Sequence, residues 1–279
     1  MFFYPRLTAC VVWVAFAGLI SVSPSASPCE AEEIRSRPLK ALLVLGGCCH
    51  DYKTQAKLLK EGIESRANVQ VTIAYDPDTS TSHLNPVYES LDWAKGFDVV
   101  IHDECSSDVK DIALVNRILS PHQSGLPAVI LHCGMHSYRT EGYPGVTPWF
   151  EFTGLQTTGH GPQVPIKIEW SKTGHPITDP MKGLDWMTEN EELYNNSAGK
   201  LLDTAKLLAR GSQSITKRDG SLRVEDCVVV WTNLYHESTK VFATTLGHNN
   251  ATVADSRYLD LVTRGLLWSC DRLTDSELK

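Results

Sequence analysis

Apolar positions along the chain fall in short runs, separated by stretches in which polar and apolar residues recur at helical spacing. Leu39-Lys-Ala-Leu-Leu-Val-Leu45 is one such run, closed by Gly46-Gly47, and suits a strand buried on both faces. Residues 52–66 have helical periodicity, 69–75 alternate with β-branched residues as a second strand, and 86–95 read as a short helix. Phe97–Ile101 predicts a third strand, Val109–Leu119 a helix and Pro127–Leu131 a fourth strand. Further strands are expected at 164–170, 204–209, 227–231 and 241–246, and an amphipathic helix over 255–270 closes the pattern.

Strands that alternate with helices of this length form βαβ units with right-handed crossovers. The fold class is therefore α/β: a doubly wound, mostly parallel sheet with helices on both faces. The N-terminal segment stands apart from this pattern. Arg6 precedes a run of 16 almost wholly apolar residues, Leu7–Val22, followed by Ser/Pro/Ala-rich residues to Pro28. A spanning helix needs about 20 residues, so the segment reads as a cleaved secretory signal, with a membrane anchor as the alternative. The organisation is thus a signal peptide and leader over 1–31, a linker over 32–38 and one α/β domain over 39–272. The mature chain is expected to be exported, periplasmic or extracellular, and without a membrane partner.

The 279 residues are enough for one sizeable core. A net charge of −7 argues against a surface that grips nucleic acid. The eight cysteines contain no Cys-x-x-Cys pair, so a structural zinc site or a thioredoxin-type motif is not expected. Most of them lie beside apolar runs and read as free, buried thiols, although export permits disulfides. Two sequons, at Asn195-Asn-Ser197 and Asn250-Ala-Thr252, matter only where the source glycosylates exported chains.

In open parallel sheets, ligands bind beyond the carboxyl ends of the strands. Of the ten histidines, His50, His102, His132, His136 and His248 follow predicted strands. Any one of them could serve only to bond nearby backbone, and for His102 and His132 that reading has equal weight. Together they point to a polar site. His83, His122 and His236 have no such company and read as surface residues. Leu131-His-Cys-Gly-Met-His136 has the spacing of a sharp strand-to-helix turn that presents His136 where hydrolases present a nucleophile. Cys133 precedes the glycine, which disfavours thiol chemistry; a displaced set of Cys133, His136 and Glu192 is the alternative.

The segments Gly47-Cys-Cys-His50-Asp51, Leu131–Ser137, Glu191-Glu-Leu-Tyr194 and Val241–Asn249 fall in an order that resembles the ThuA-like, trehalose-utilisation family. His160, His175-Pro176 and the closing Gly265-Leu-Leu-Trp268 are similar to it as well. The resemblance covers roughly residues 39–270. It implies a flavodoxin-like fold, like that of class I glutamine amidotransferases, without their catalytic cysteine. It also implies a small-molecule sugar partner, of the trehalose type or a keto derivative.

Two chemistries suit the cluster. His136 and Glu192 could act as acid and base, with Arg139 as polarising donor, in a carbohydrate isomerase, lyase or hydrolase reaction. Alternatively His50, His136 and His248 could hold a divalent metal such as zinc. Tyr52, Asp103, Tyr138, Tyr194 and Asn249 are the expected substrate contacts, while Trp149 reads as core. A non-catalytic carbohydrate- or metal-binding module is the competing function, and a homo-oligomer stays open.

Overall fold

The computed structural model of the chain describes residues 1, 37–196 and 201–279. The leader, most of the linker and Ser197 of the first sequon lie outside the described residues, and with them Cys10 and Cys29. Residues Arg37–Lys279 form one compact unit. It therefore extends seven residues beyond the expected boundary at 272: Lys279 N donates to Arg66 O at 2.8 Å, and Ala67 makes an isolated antiparallel bridge to Leu278.

The first half alternates as its pattern predicts. The elements are β1 (Leu39–Gly47), α1 (Tyr52–Arg66), β2 (Val69–Asp76), β3 (Val99–Cys105), α2 (Ile112–Gln123) and β4 (Ala128–Leu131). After a short α3 (Pro148–Thr153) come β5 (His160–Val164), β6 (Lys167–Trp170), β7 (Trp186–Met187), β8 (Glu191–Tyr194), β9 (Ala205–Thr216), β10 (Leu222–Tyr235) and β11 (Thr239–Thr244). Two helices, α4 (Asn250–Ala254) and α5 (Ser256–Ser269), finish the fold. The large sheet has nine strands in the order β2-β1-β3-β4-β11-β10-β9-β6-β7. Strands β2, β1, β3, β4 and β11 pair in parallel. From β11 outward the pairing is antiparallel.

Alternation along β1 divides the core. Leu43 and Leu45 pack with Leu59 and Ile63 of α1 and Leu261 and Leu266 of α5. Leu42 and Val44 point the other way, into the cluster holding Val115 and Ile118 of α2, Trp149 and Trp231. Helices therefore cover both faces, as expected for a doubly wound sheet.

Several elements depart from the sequence pattern. The helix expected over 86–95 is a single 3-10 turn, Pro86–Glu89, followed by loose turns. The strand expected over 164–170 divides at Pro165, which cannot donate to a ladder. Its first part, β5, leaves the large sheet and pairs with β8 in a separate two-stranded ribbon. Strands β9 and β10 run well past their apolar stretches because an antiparallel hairpin satisfies polar backbone in solvent as readily as in the core. His83 and His122, expected at the surface, are both fully buried. His122 sits at the buried end of α2 and bonds Leu126 O at 2.7 Å, and His83 lies 3.3 Å from Ser106 Oγ. Among the described residues, no helix is long and apolar enough to cross a membrane.

Candidate functional site

Each strand that ends at the same edge of the parallel sheet delivers its side chains by a local device. Strand β1 ends in Gly46 and Gly47, both with positive φ, and the chain turns through Cys48 and Cys49 to His50. Asp51 then caps α1 by accepting from Thr54 N. Strand β4 runs into a 3-10 turn, His132–His136, flanked by left-handed backbone at His132 (φ 37°) and Tyr138 (φ 55°). Strand β11 is followed by Thr245–Asn249, and Asn249 caps α4 through Ala251 N and Thr252 N. The ribbon contributes the rest: its register sets His160 opposite Tyr194 and Gln163 opposite Glu192.

Glu192 is the centre of the constellation. Its Oε2 lies 3.2 Å from His248 Nδ1 and 3.6 Å from His132 Nε2, and its Oε1 lies 3.5 Å from His160 Nδ1. Gln163 Nε2 also donates to Oε1, at 3.2 Å. Side-chain exposure rises from 2 % at His132 through 7 % at Glu192 and 11 % at His248 to 41 % at His160, so access comes from the His160 side. The ring of Tyr194 stacks on His136 at 4.6 Å, and its hydroxyl lies 3.0 Å from His132 Nε2.

Backbone carbonyls orient two of the imidazoles. His132 Nδ1 donates to Thr245 O at 2.7 Å, which aims its Nε2 at Glu192 and the Tyr194 hydroxyl. His50 Nδ1 likewise donates to His248 O at 3.1 Å, and its Nε2 faces Cys133 Sγ at 3.0 Å. His136 meets Thr157 Oγ1 at 3.1 Å through Nδ1 and Cys133 Sγ at 3.6 Å through Nε2.

The electrostatics separate these rings. Burial, then the neighbouring His132 and His248, pushes the His50 pKa down to about 2. Burial, then the Arg139 guanidinium, lowers His136 to about 3. Both are neutral at ordinary pH. Burial also lowers His248, but the Glu192 carboxylate outweighs it and the net shift is upward. Burial raises Glu192, yet contact with His132 and His248 holds it well below the usual carboxylate range. The site therefore sets an ionised carboxylate against an imidazole of raised proton affinity, His248, beside two rings, His50 and His136, kept neutral.

Cys133 is 3 % exposed, and burial pushes its thiol well above the usual range. A neutral thiol that donates to His50 is a poor nucleophile, which argues against the displaced Cys133–His136–Glu192 set. Burial also raises Cys105, but the neighbouring Cys133 thiol is the larger influence and leaves the Cys105 thiol below its ordinary value. Cys48, expected as a free, buried thiol, is joined to its neighbour Cys49 in a disulfide, while Cys105, Cys133, Cys227 and Cys270 are free, as expected.

The other expected site residues are distributed as follows. Arg139 is half-buried, donates to His136 O at 3.0 Å and lies over the Tyr143 ring. Tyr52 packs edge-on against His50, and its buried hydroxyl has no hydrogen-bond partner. Tyr138 is fully buried and donates to Glu104 Oε1 at 2.8 Å, below the turn that carries His136. Asp103 is 5 % exposed, and burial raises its pKa well above the usual value. Asn249 spends its side chain on the α4 cap and on Asn190 O.

The three expected metal ligands do not form one group. Among the described residues, His248 groups with His132 and Glu192, His50 with His132 and Cys133, and His136 with Cys105 and Cys133, each set of donor atoms lying within 4.8 Å. His102 lies in the core, bonded to Glu104 Oε1 at 2.9 Å and His122 Nε2 at 3.1 Å. The residues that sequence reasoning underweighted are His132, whose strand-end position was the signal, and His160, whose signal was family resemblance alone. A cavity of about 250 Å³ elsewhere is lined by Arg66, Arg257, Asp260, Arg264 and Lys279 with Met181 and Leu184, and has no histidine in its wall.

Against known proteins, the sequence model described as "Trehalose utilisation" (ThuA) matches residues 40–269. No curated protein matches the chain. A ThuA-like protein from Parabacteroides merdae superimposes with a TM-score of 0.62 at 20 % identity, covering 87 % of this chain and 92 % of its own. One from Bacteroides uniformis gives 0.57 at 15 % identity, covering 83 % and 93 %. At these identities the structural likeness shows the fold.

Proposed function

The chain belongs to the ThuA, or trehalose-utilisation, family, and from that premise we propose that its Glu192-centred histidine cluster transfers protons on a sugar of the trehalose type or a keto derivative of one. The observation that carries this reading is the separation of charge at one spot: His248 Nδ1 lies 3.2 Å from an ionised Glu192 that raises its pKa, while His50 and His136 stay neutral. His248 is the proton donor, and the ionised Glu192 carboxylate beside it is the acceptor. His160, 41 % exposed, and Gln163, whose amide donates to Glu192 Oε1, line the open side of the cluster where a sugar would enter. Removal of a proton beside a ketone needs this combination of base, acid and fixed donors. The apolar leader supports export of the working chain.

The test uses trehalose and a keto derivative of trehalose in deuterated water, followed by proton NMR. Wild-type protein is expected to exchange the carbon-bound proton beside the ketone or to convert the sugar. Glu192→Gln is expected to slow this by about 10²-fold or more. An unreactive wild type, or a variant as active as wild type, would overturn the reading.

A second reading has its own support. Donor atoms about 2.1 Å from a tetrahedral zinc ion stand about 3.4 Å apart, and Glu192 Oε2 stands 3.2 and 3.6 Å from the nitrogens of His248 and His132. These residues would hold a divalent metal as a two-histidine, one-carboxylate set, and the metal would polarise a sugar oxygen. Near-stoichiometric metal in the purified protein that disappears with His132→Ala would favour this reading. Metal-free protein with full activity would remove it.

A further inference from the structure

A line of sulfur runs beside the histidine cluster and takes no part in the chemistry just described. Cys48 and Cys49 share a disulfide, and the Cys48 sulfur lies 3.4 Å from the free Cys105 thiol. Cys105 is buried at the end of β3 and Cys49 is exposed. The approach of the two strand ends depends on Gly47: a Cβ there would stand 2.2 Å from Cys105 O. Cys49 itself is held at φ 84°, a left-handed conformation unfavourable for a residue with a side chain. Its neighbour is His50, which bridges Cys133 and the His248 carbonyl.

We propose that Cys48, Cys49 and Cys105 form a thiol–disulfide exchange site that releases the Cys49 thiol to solvent, where it reacts with low-molecular-weight disulfides. In the first step the Cys105 thiol gives its proton to solvent, and its sulfur lone pair forms a bond to Cys48. The bonding pair of the Cys48–Cys49 disulfide leaves on the Cys49 sulfur, which takes up a proton. One disulfide is broken and one is made, so this step needs no oxidant. The Cys49 thiol then returns its proton to solvent and, as the thiolate, attacks an external disulfide, forming a mixed disulfide and expelling a thiolate that solvent protonates. Exchange frees Cys49 from the ring that fixes its backbone, and His50 sits directly on the freed segment. The redox state of the sulfur line thereby bears on the order of the neighbouring histidine.

The geometry selects one of the two disulfide sulfurs. Cys105 lies against Cys48, so the leaving thiol is the exposed one, which a small partner can reach. A buried leaving thiol would only return to its former partner.

The intact protein, incubated with oxidised glutathione and then alkylated, is mapped by non-reducing peptide mass spectrometry. The expected product has glutathione on Cys49 and a Cys48–Cys105 disulfide in the same molecule. Cys105→Ser is expected to lose that adduct and keep Cys48–Cys49. Cys49→Ser, treated with the same oxidant, is expected to yield the Cys48–Cys105 cross-link directly. Wild-type protein that retains Cys48–Cys49 without an adduct would overturn the proposal, as would an adduct that persists undiminished in Cys105→Ser. The wild-type map decides the matter by itself if either variant fails to fold.

Discussion

At the scale of single residues, the account rests on one carboxylate that alters its neighbours. Glu192 holds His248 above its ordinary pKa of 6.5 despite burial. If protonated His248 is the donor, activity falls as pH rises through that elevated pKa. Glu192→Gln removes the cause, so the alkaline limb of the residual activity shifts to lower pH; a pH–rate profile of both proteins checks this, and an unmoved limb would assign the donor elsewhere. The sequence placed His50, His136 and His248 at one sheet edge, because strand ends are legible from apolar runs; Glu192 was a candidate carboxylate with no predicted strand to place it. It did not distinguish His132, which faces Glu192, from His102, which turns inward to Glu104. Both follow a strand residue directly, and only tertiary packing decides which way each ring points. Tyr138 illustrates the same limit: its left-handed backbone buries the ring beneath the turn that carries His136.

At the scale of elements, the parallel half was readable because its strands are buried on both faces and its helices have one apolar face. Helix α1 occupies the range the periodicity predicts, 52–66. The ribbon of β5 and β8 was not readable. Its strands are short, β5 is mostly exposed, and its pairing joins segments far apart in sequence. Yet it positions His160, Gln163, Glu192 and Tyr194, so the hidden element is the one that completes the site. The close of β1 makes a stability prediction. Gly47 has φ 94°, and an added Cβ would meet Cys105 backbone rather than a side chain that could move. Gly47→Ala is expected to cost roughly 1–3 kcal/mol or more in urea unfolding, since both the backbone conformation and the contact oppose it. A change within a few tenths of a kcal/mol would mean that the strand end is looser than described.

At the scale of the whole molecule, buried neutral histidines govern the response to acid. Burial holds His50 near 2 and His122 and His136 near 3, against an ordinary 6.5. Groups whose folded pKa is depressed stabilise the fold above the unfolded value and lose that contribution as pH falls. Stability is therefore expected to decline as pH drops from about 6.5 toward 4, by about 1.4 kcal/mol per pH unit for each histidine that remains neutral when folded. His248 has the opposite sign: its raised pKa favours the fold at low pH, and this is lost as pH rises through the folded value. With His175, which burial lowers to about 4, four rings against one set the direction, and urea midpoints across that range measure it. A midpoint that rose on acidification would contradict the burial of these rings. The most direct test of the central claim is a long-range proton–nitrogen NMR spectrum of the imidazoles, recorded with and without a keto derivative of trehalose. The account predicts that the sugar perturbs His50, His132, His136, His160 and His248 while leaving His102, His122 and His175 unchanged. A spectrum unaltered by the sugar, or altered only in the latter three, would contradict it.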